Sequence, residues 1–217
     1  MRYFVLITVL FSVATTAQAY NPITAEPVEA YSVIKVEGDT YVERSYLGDL
    51  EDAPDMYEFK TDVAISIRLQ VSQRASRKTV PFGLIMVRQN DTDGGVEEVV
   101  RQNESLETWT KVRSNMLGMT FLTAPALEKE IKPGTYRIEV STPDNKGNYM
   151  LTVGEEPVFS GYFKALLQIF KTQWHFGLTP FHFLLSSYVY GTFVILGIGY
   201  GAYWFRRRRH KEHDLTT

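Results

Sequence analysis

Val63, Ile65, Ile67, Leu69 and Val71 alternate with Ala64, Ser66, Arg68, Gln70 and Ser72. A period of two sends alternate side chains to opposite faces, so this segment predicts a strand with its aliphatic set in a core. Phe82 to Val87 is a shorter, more uniformly apolar run, which predicts a central strand. Asn90 to Gly95 is a turn cluster, and Val96 to Arg101 and Met119 to Thr123 are weaker strands. After Pro133-Gly134, Tyr136, Ile138 and Val140 alternate with Arg137, Glu139 and Ser141. Tyr149, Leu151 and Val153 then alternate with Asn148, Met150 and Thr152. Between them lies Pro143-Asp144-Asn145-Lys146-Gly147, a run of turn formers. The two strands predict an antiparallel hairpin with one aromatic-aliphatic face. Short strands, turn clusters and no helical period among them predict a mainly β fold, an antiparallel β-sandwich over residues 38–157. Residues 20–37, with Pro22 and Pro27, read as an extended segment that pairs at a sheet edge.

The period changes after the sandwich. In residues 158–172, Phe159, Phe163, Leu166, Leu167 and Phe170 recur at helical spacing, with Lys164 and Gln168 opposite. Such a juxtamembrane amphipathic helix suits either the outer leaflet of a membrane or a site packed on the sandwich. No Asp, Glu, Lys or Arg occurs between Thr172 and Phe205. The densest apolar part, 183–205, predicts a transmembrane helix of about 34 Å at 1.5 Å per residue. Arg206, Arg207, Arg208, Arg209 and Lys211 follow in a basic tail, 206–217. Basic residues stay on the cytoplasmic side, so the sandwich is expected outside. They also suit anionic lipid heads. Residues 1–19 agree: Arg2, an apolar core from Tyr3 to Val13 and Ala17-Gln18-Ala19 have the parts of a cleaved secretory signal. Trp174, Phe176 and Phe181 suit an outer aromatic belt, and Tyr203 and Trp204 an inner one. Gly197 and Gly201 form a G-x-x-x-G pair, a candidate contact for a homodimer through the membrane helix.

Two stretches resemble a known family. Pro133-Gly134-Thr135-Tyr136-Arg137-Ile138-Glu139-Val140 and Gly147-Asn148-Tyr149-Met150-Leu151-Thr152-Val153-Gly154 are similar to the closing strands of bacterial pre-peptidase C-terminal domains. Leu47-Gly48-Asp49-Leu50 followed by Met56-Tyr57-Glu58-Phe59 suits the opening of that family, so the resemblance spans about residues 40–155. It implies a small jelly-roll-like sandwich of the kind appended to secreted proteins. Some members bind calcium. Members usually sit beside a catalytic domain, and no such domain is read in these 217 residues. The layout of signal, sandwich, helix and short tail is also similar in outline to eukaryotic cargo receptors, which usually add a disulfide and a coiled coil.

Charge and chemistry narrow the function. The chain has 23 basic and 25 acidic residues. With Arg2, the five tail cations, Glu212 and Asp214 set aside, the exported part is near −6. That argues against nucleic acid as a partner. The chain has no cysteine, which favours a bacterial envelope over a eukaryotic surface. Asn90-Asp91-Thr92 and Asn103-Glu104-Ser105 match glycosylation sequons, which matter only in a eukaryotic host. The four histidines, His175, His182, His210 and His213, all follow the sandwich. Residues 20–157 therefore offer no nucleophile-histidine pair and no His/Cys zinc set. No phosphate-binding or dinucleotide glycine pattern occurs. Asp91, Asp93 and Glu97 around Gly94-Gly95 are weak calcium candidates, without the spacing of an EF-hand. The reading is a single-pass, membrane-anchored, non-enzymatic module that binds a protein or glycan outside the cytoplasm. Its alternatives are an accessory subunit acting through its membrane helix and a hydrolase using carboxylates alone.

Overall fold

The computed structural model describes residues 22–25, 29, 31–36, 42–76, 78–90, 94–103, 105–154 and 161–214, with side chains through 204. The signal at 1–19 and the calcium candidates Asp91 and Asp93 lie outside the described residues.

Among the described residues twelve strands form two sheets. They are β1 (Pro22–Thr24), β2 (Val33–Lys35), β3 (Arg44–Glu51), β4 (Asp55–Thr61), β5 (Ile65–Arg74), β6 (Gly83–Gln89), β7 (Val96–Gln102), β8 (Thr110–Ser114), β9 (Met119–Thr123), β10 (Leu127–Ile131), β11 (Gly134–Ser141) and β12 (Lys146–Val153). Sheet one runs β1-β3-β12-β5-β9-β8, with β10 also on β5; sheet two runs β2-β4-β11-β6-β7. The extended N-terminal segment does pair at sheet edges. It meets sheet one through β1 on β3 and sheet two through β2 on β4. Both pairings are parallel, so the sheets are mixed rather than wholly antiparallel.

The aliphatic and aromatic sets of both sheets meet in one core that includes Tyr57, Ile67, Leu84, Ile138, Tyr149 and Leu151. The alternation in β5, β11 and β12 correctly gives the inward faces: Ile67, Leu69, Val71, Tyr136, Ile138, Val140, Tyr149, Leu151 and Val153 are all buried. Val63 is the exception. It is exposed in the turn before β5, where its carbonyl accepts from Thr61 Oγ1 at 2.7 Å. In β6, Leu84 and Met86 are buried, as is Phe82 just before it, while Ile85 and Val87 are half-buried, so this central strand alternates rather than being apolar throughout.

The closing hairpin is corrected. β11 pairs with β4 and β6 in sheet two, whereas β12 pairs with β3 and β5 in sheet one. The loop between them is a corner from one sheet to the other. Its shape is set locally: Asn145 takes a positive φ of 48°, and Lys146 N donates to Thr142 Oγ1 at 2.9 Å. Period-two patterning fixes which face turns inward but says nothing about which strand lies alongside. Here the two inward faces confront each other across the core.

Three helical elements follow: α1 (Tyr162–His175), a 3-10 helix (Pro180–Leu185) and α2 (Ser187–Asp214). The expected membrane segment 183–205 is not one helix. Phe183 belongs to the 3-10 turn that Pro180 begins, and α2 starts at Ser187. Ser187 to Phe205 spans about 28 Å, short of the 34 Å expected. Gly197, Gly199, Gly201, Tyr190, Tyr200 and Tyr203 dilute its mean hydropathy. Among the described residues no helix is long and apolar enough to cross a membrane.

Candidate functional site

Sheet one is apolar on both sides. Leu47 on β3, Met119 and Phe121 on β9 and Met150 on β12 form a second buried cluster with Ile169, Phe176 and Leu178 from the helical region. α1 is thus laid over the outer face of sheet one. Phe121 and Phe176 meet edge to face at 5.6 Å between ring centroids. This face of α1 was not legible in the sequence. Ala165, Gln168, Ile169, Thr172 and Gln173 are buried, although the helical period put Gln168 on the solvent side. Thr172 and Gln173 bury here with donors that reach backbone acceptors. Thr172 Oγ1 donates to Gln168 O at 2.9 Å, and Gln173 Nε2 donates to Leu117 O at 2.6 Å and His182 O at 3.2 Å.

Further bonds fasten the helical region to the strands. Arg74 Nη1 donates to Phe176 O at 3.0 Å, and His175 Nε2 lies 3.1 Å from Gly48 O. Burial holds the His175 imidazole below its ordinary value, with nearby Asp49 opposing. Ser187 N donates to Asn115 O at 2.9 Å, so the start of α2 is tied to the β8–β9 turn. At its own start, α1 touches α2: the Tyr162 and Tyr188 rings stack at 5.9 Å, and the Tyr162 hydroxyl bonds Tyr188 O and Thr192 Oγ1.

The opposite face of α1 carries the aromatic residues. Phe163 (84% exposed), Leu167, Phe170 and Trp174 (64% exposed) recur at steps of four, three and four, one stripe of a helix. Phe170 stacks on Trp174 and meets Phe183 edge-on. Phe181, Leu184 and Leu185 of the 3-10 helix are exposed beside them. The expected apolar face therefore exists and points away from the sandwich; Phe159 lies outside the described residues. A cleft of about 360 Å³ lies beside the stripe, lined by Thr24, Phe170, Lys171, Trp174 and His175.

α2 is apolar around its circumference. Phe193, Val194, Ile195 and Leu196, which step about 100° each, are 61%, 56%, 43% and 62% exposed. Among the described residues nothing beyond their own helix backbone lies within 4 Å of where a Cβ would stand at Gly197 or Gly201. Arg206 to Arg209 and Lys211 lie on α2, with side chains outside the description. Glu97 is exposed on β7. Among the described residues no group of three or more His, Asp or Glu is placed to hold a metal.

One polar constellation escaped the sequence reading. Tyr149 donates to Asp55 Oδ2 at 2.6 Å, and its oxygen lies 2.7 Å from Tyr57 Oη. All three residues are buried between the sheets. Burial pushes Asp55 above the usual carboxylate value, the Tyr149 bond offsetting part of the rise. Both phenols are raised, chiefly by burial, so they stay protonated and act as a hydrogen-bonded strut across the core.

No protein-family model and no curated protein matches the chain. Solved structures of similar shape include the pre-peptidase C-terminal domain of a collagenase from Bacillus anthracis. It is 17% identical, covers 60% of this chain and 97% of that one, and has a TM-score of 0.34. Others are the Yersinia pseudotuberculosis-derived mitogen (13%, 52% and 84%, 0.35) and a periplasmic inhibitor of g-type lysozyme from Aeromonas hydrophila (10%, 63% and 98%, 0.35). The first is a domain of the family that residues 40–155 resemble.

Proposed function

We propose that this chain is a membrane-anchored, non-enzymatic interaction module of the cell envelope. α2 is its single span, and the Arg206–Arg209 cluster lies on the cytoplasmic side. One observation carries the reading: four consecutive apolar residues, Phe193 to Leu196, are exposed on every side of α2. A helix apolar all round has its stable place in a protein core or a bilayer, and among the described residues no part of the sandwich covers this stretch. The glycines and tyrosines that lower its mean hydropathy are at home in membrane helices and their interfaces. The short apolar stretch, about 28 Å, matches a hydrocarbon core of about 30 Å when flanking residues reach the interface.

The exported part lacks His and Cys over residues 20–157, and its buried carboxylate Asp55 is spent on the core. Binding, to a protein or a glycan, is therefore its role. Gly197 and Gly201 leave room for a second helix, which suits pairing of two copies in the membrane.

The test is extraction and topology in a bacterial host, with a tag after Thr217. The chain should stay in the membrane pellet at alkaline carbonate. Protease added to spheroplasts should digest the sandwich and spare the tag. Release by carbonate, or protection of the sandwich, overturns the reading.

A further inference from the structure

We infer that the outer face of α1 and the 3-10 helix lie in the boundary between headgroups and acyl chains of the outer leaflet. The sandwich is thereby seated with sheet one toward the membrane and sheet two facing away. This rests on α2 as the span.

Phe163, Leu167, Phe170, Trp174, Phe181 and Leu184 form one exposed apolar surface on two adjacent elements. A contiguous patch of this kind on a soluble protein marks an interaction site. Three observations make the occupant lipid. First, the patch is continuous with α2, which begins two residues after the 3-10 helix ends. Second, the Tyr162–Tyr188 stack ties the start of α1 to the first turn of α2, so the stripe sits at the depth where α2 leaves the bilayer. Third, the flanks are those of an interfacial helix. Lys164 and Lys171 are exposed beside the stripe, where long basic side chains keep their charge among headgroups. The other face of α1 is bonded to the sandwich, through Gln173 to the β8–β9 turn and through His175 to β3, and Arg74 of β5 holds Phe176 just past its end, so whatever fixes the stripe fixes the sandwich. Sheet two, on the far side of the core, then offers Lys60, Glu58, Arg137 and Glu139 to a partner.

The chain has no cysteine, so single-cysteine variants can carry a nitroxide without background. Leu167→Cys reports the stripe, Ile195→Cys the span and Lys60→Cys the far sheet. Each is labelled in the full chain in phosphatidylcholine–phosphatidylglycerol proteoliposomes, and collision with oxygen is compared with collision with a water-soluble nickel chelate. The inference expects position 167 to lose nickel collision and keep oxygen collision, with position 60 open to nickel. Nickel access at 167 equal to that at 60 overturns it. Loss of both collisions at 167 means a protein covers the stripe, and also overturns it. Position 195 separates the two readings. Lipid at 195 with water at 167 sinks the seating alone, and lipid at 167 with water at 195 sinks the span alone. Water at both sinks the two together.

Discussion

Gly48 lies directly opposite Tyr149 in the β3–β12 ladder, and the Tyr149 ring crosses over its Cα. A Cβ at Gly48 would fall within the van der Waals envelope of that ring. The missing side chain lets the ring reach Asp55 and Tyr57 in the core. Gly48→Ala should therefore destabilise the fold, by about 1–3 kcal/mol as an overpacked core does. In a Tyr149→Leu background the ring is gone and the same substitution should cost much less. Urea unfolding of the four members of this double-mutant cycle measures the coupling. Additive effects would mean that the ring and the glycine do not share this space.

The strut itself carries a pH signature. Asp55 is raised above its ordinary value of 3.8, with burial the larger cause and the Tyr149 bond a partial offset. The folded state thus holds this proton more tightly than the unfolded chain. Its contribution to stability is complete below the unfolded value and is lost as pH rises through the folded one. Asp55→Asn keeps an acceptor for Tyr149 and removes the charge. The variant should gain on the wild type as pH rises from about 4 toward 7. Unfolding midpoints across that window check this; a constant gap would sink it.

Alternation made the inward faces legible because burial on one face of a strand leaves a period of two. Tyr136, Ile138, Tyr149 and Leu151 could be placed in the core on that ground alone. The sheet each strand joins leaves no such trace, so β11 and β12 read as a hairpin although they lie in opposite sheets. Met150 shows the same limit. It sits on the outward side of β12 and is buried because α1 covers it, which only tertiary structure decides. On α1 the period located the apolar stripe but not the sheet-facing side, where Thr172 Oγ1 and Gln173 Nε2 donate to carbonyls. Asp55 follows Ala53-Pro54 and reads as a turn acid; its partner Tyr149 lies 94 residues away.

Ile138 tests the register of β11. It is fully buried at the centre of sheet two, between Tyr57 and Met86. Ile138→Ala should cost about 2–5 kcal/mol through lost burial and the cavity left behind. Its neighbour Arg137 faces outward and donates to Glu58 at 2.9 Å across the β11–β4 pair. Both side chains are partly exposed, so Arg137→Ala should cost no more than about 1 kcal/mol. Chemical denaturation compares them, and equal losses would mean the strand is turned over.

His175 makes the docking of α1 depend on pH. Burial holds its imidazole below the ordinary value of 6.5, Asp49 and the bond to Gly48 O opposing without reversing the shift. The folded state therefore binds this proton less readily than the unfolded chain does. The stabilising contribution is complete above pH 6.5 and is lost as pH falls through the lower, folded value. The loss should appear first where His175 acts, in the turns of α1 that carry Thr172 and Gln173 against sheet one. Hydrogen exchange of the α1 amides, corrected for intrinsic rates, should show protection falling between about pH 7.5 and about pH 5, a window that brackets the unfolded value. His175→Gln keeps a donor for Gly48 O and has no proton to gain, so its α1 protection should stay nearly level over the same range. A parallel fall in both proteins would assign the effect to another group and remove His175 from the docking of α1.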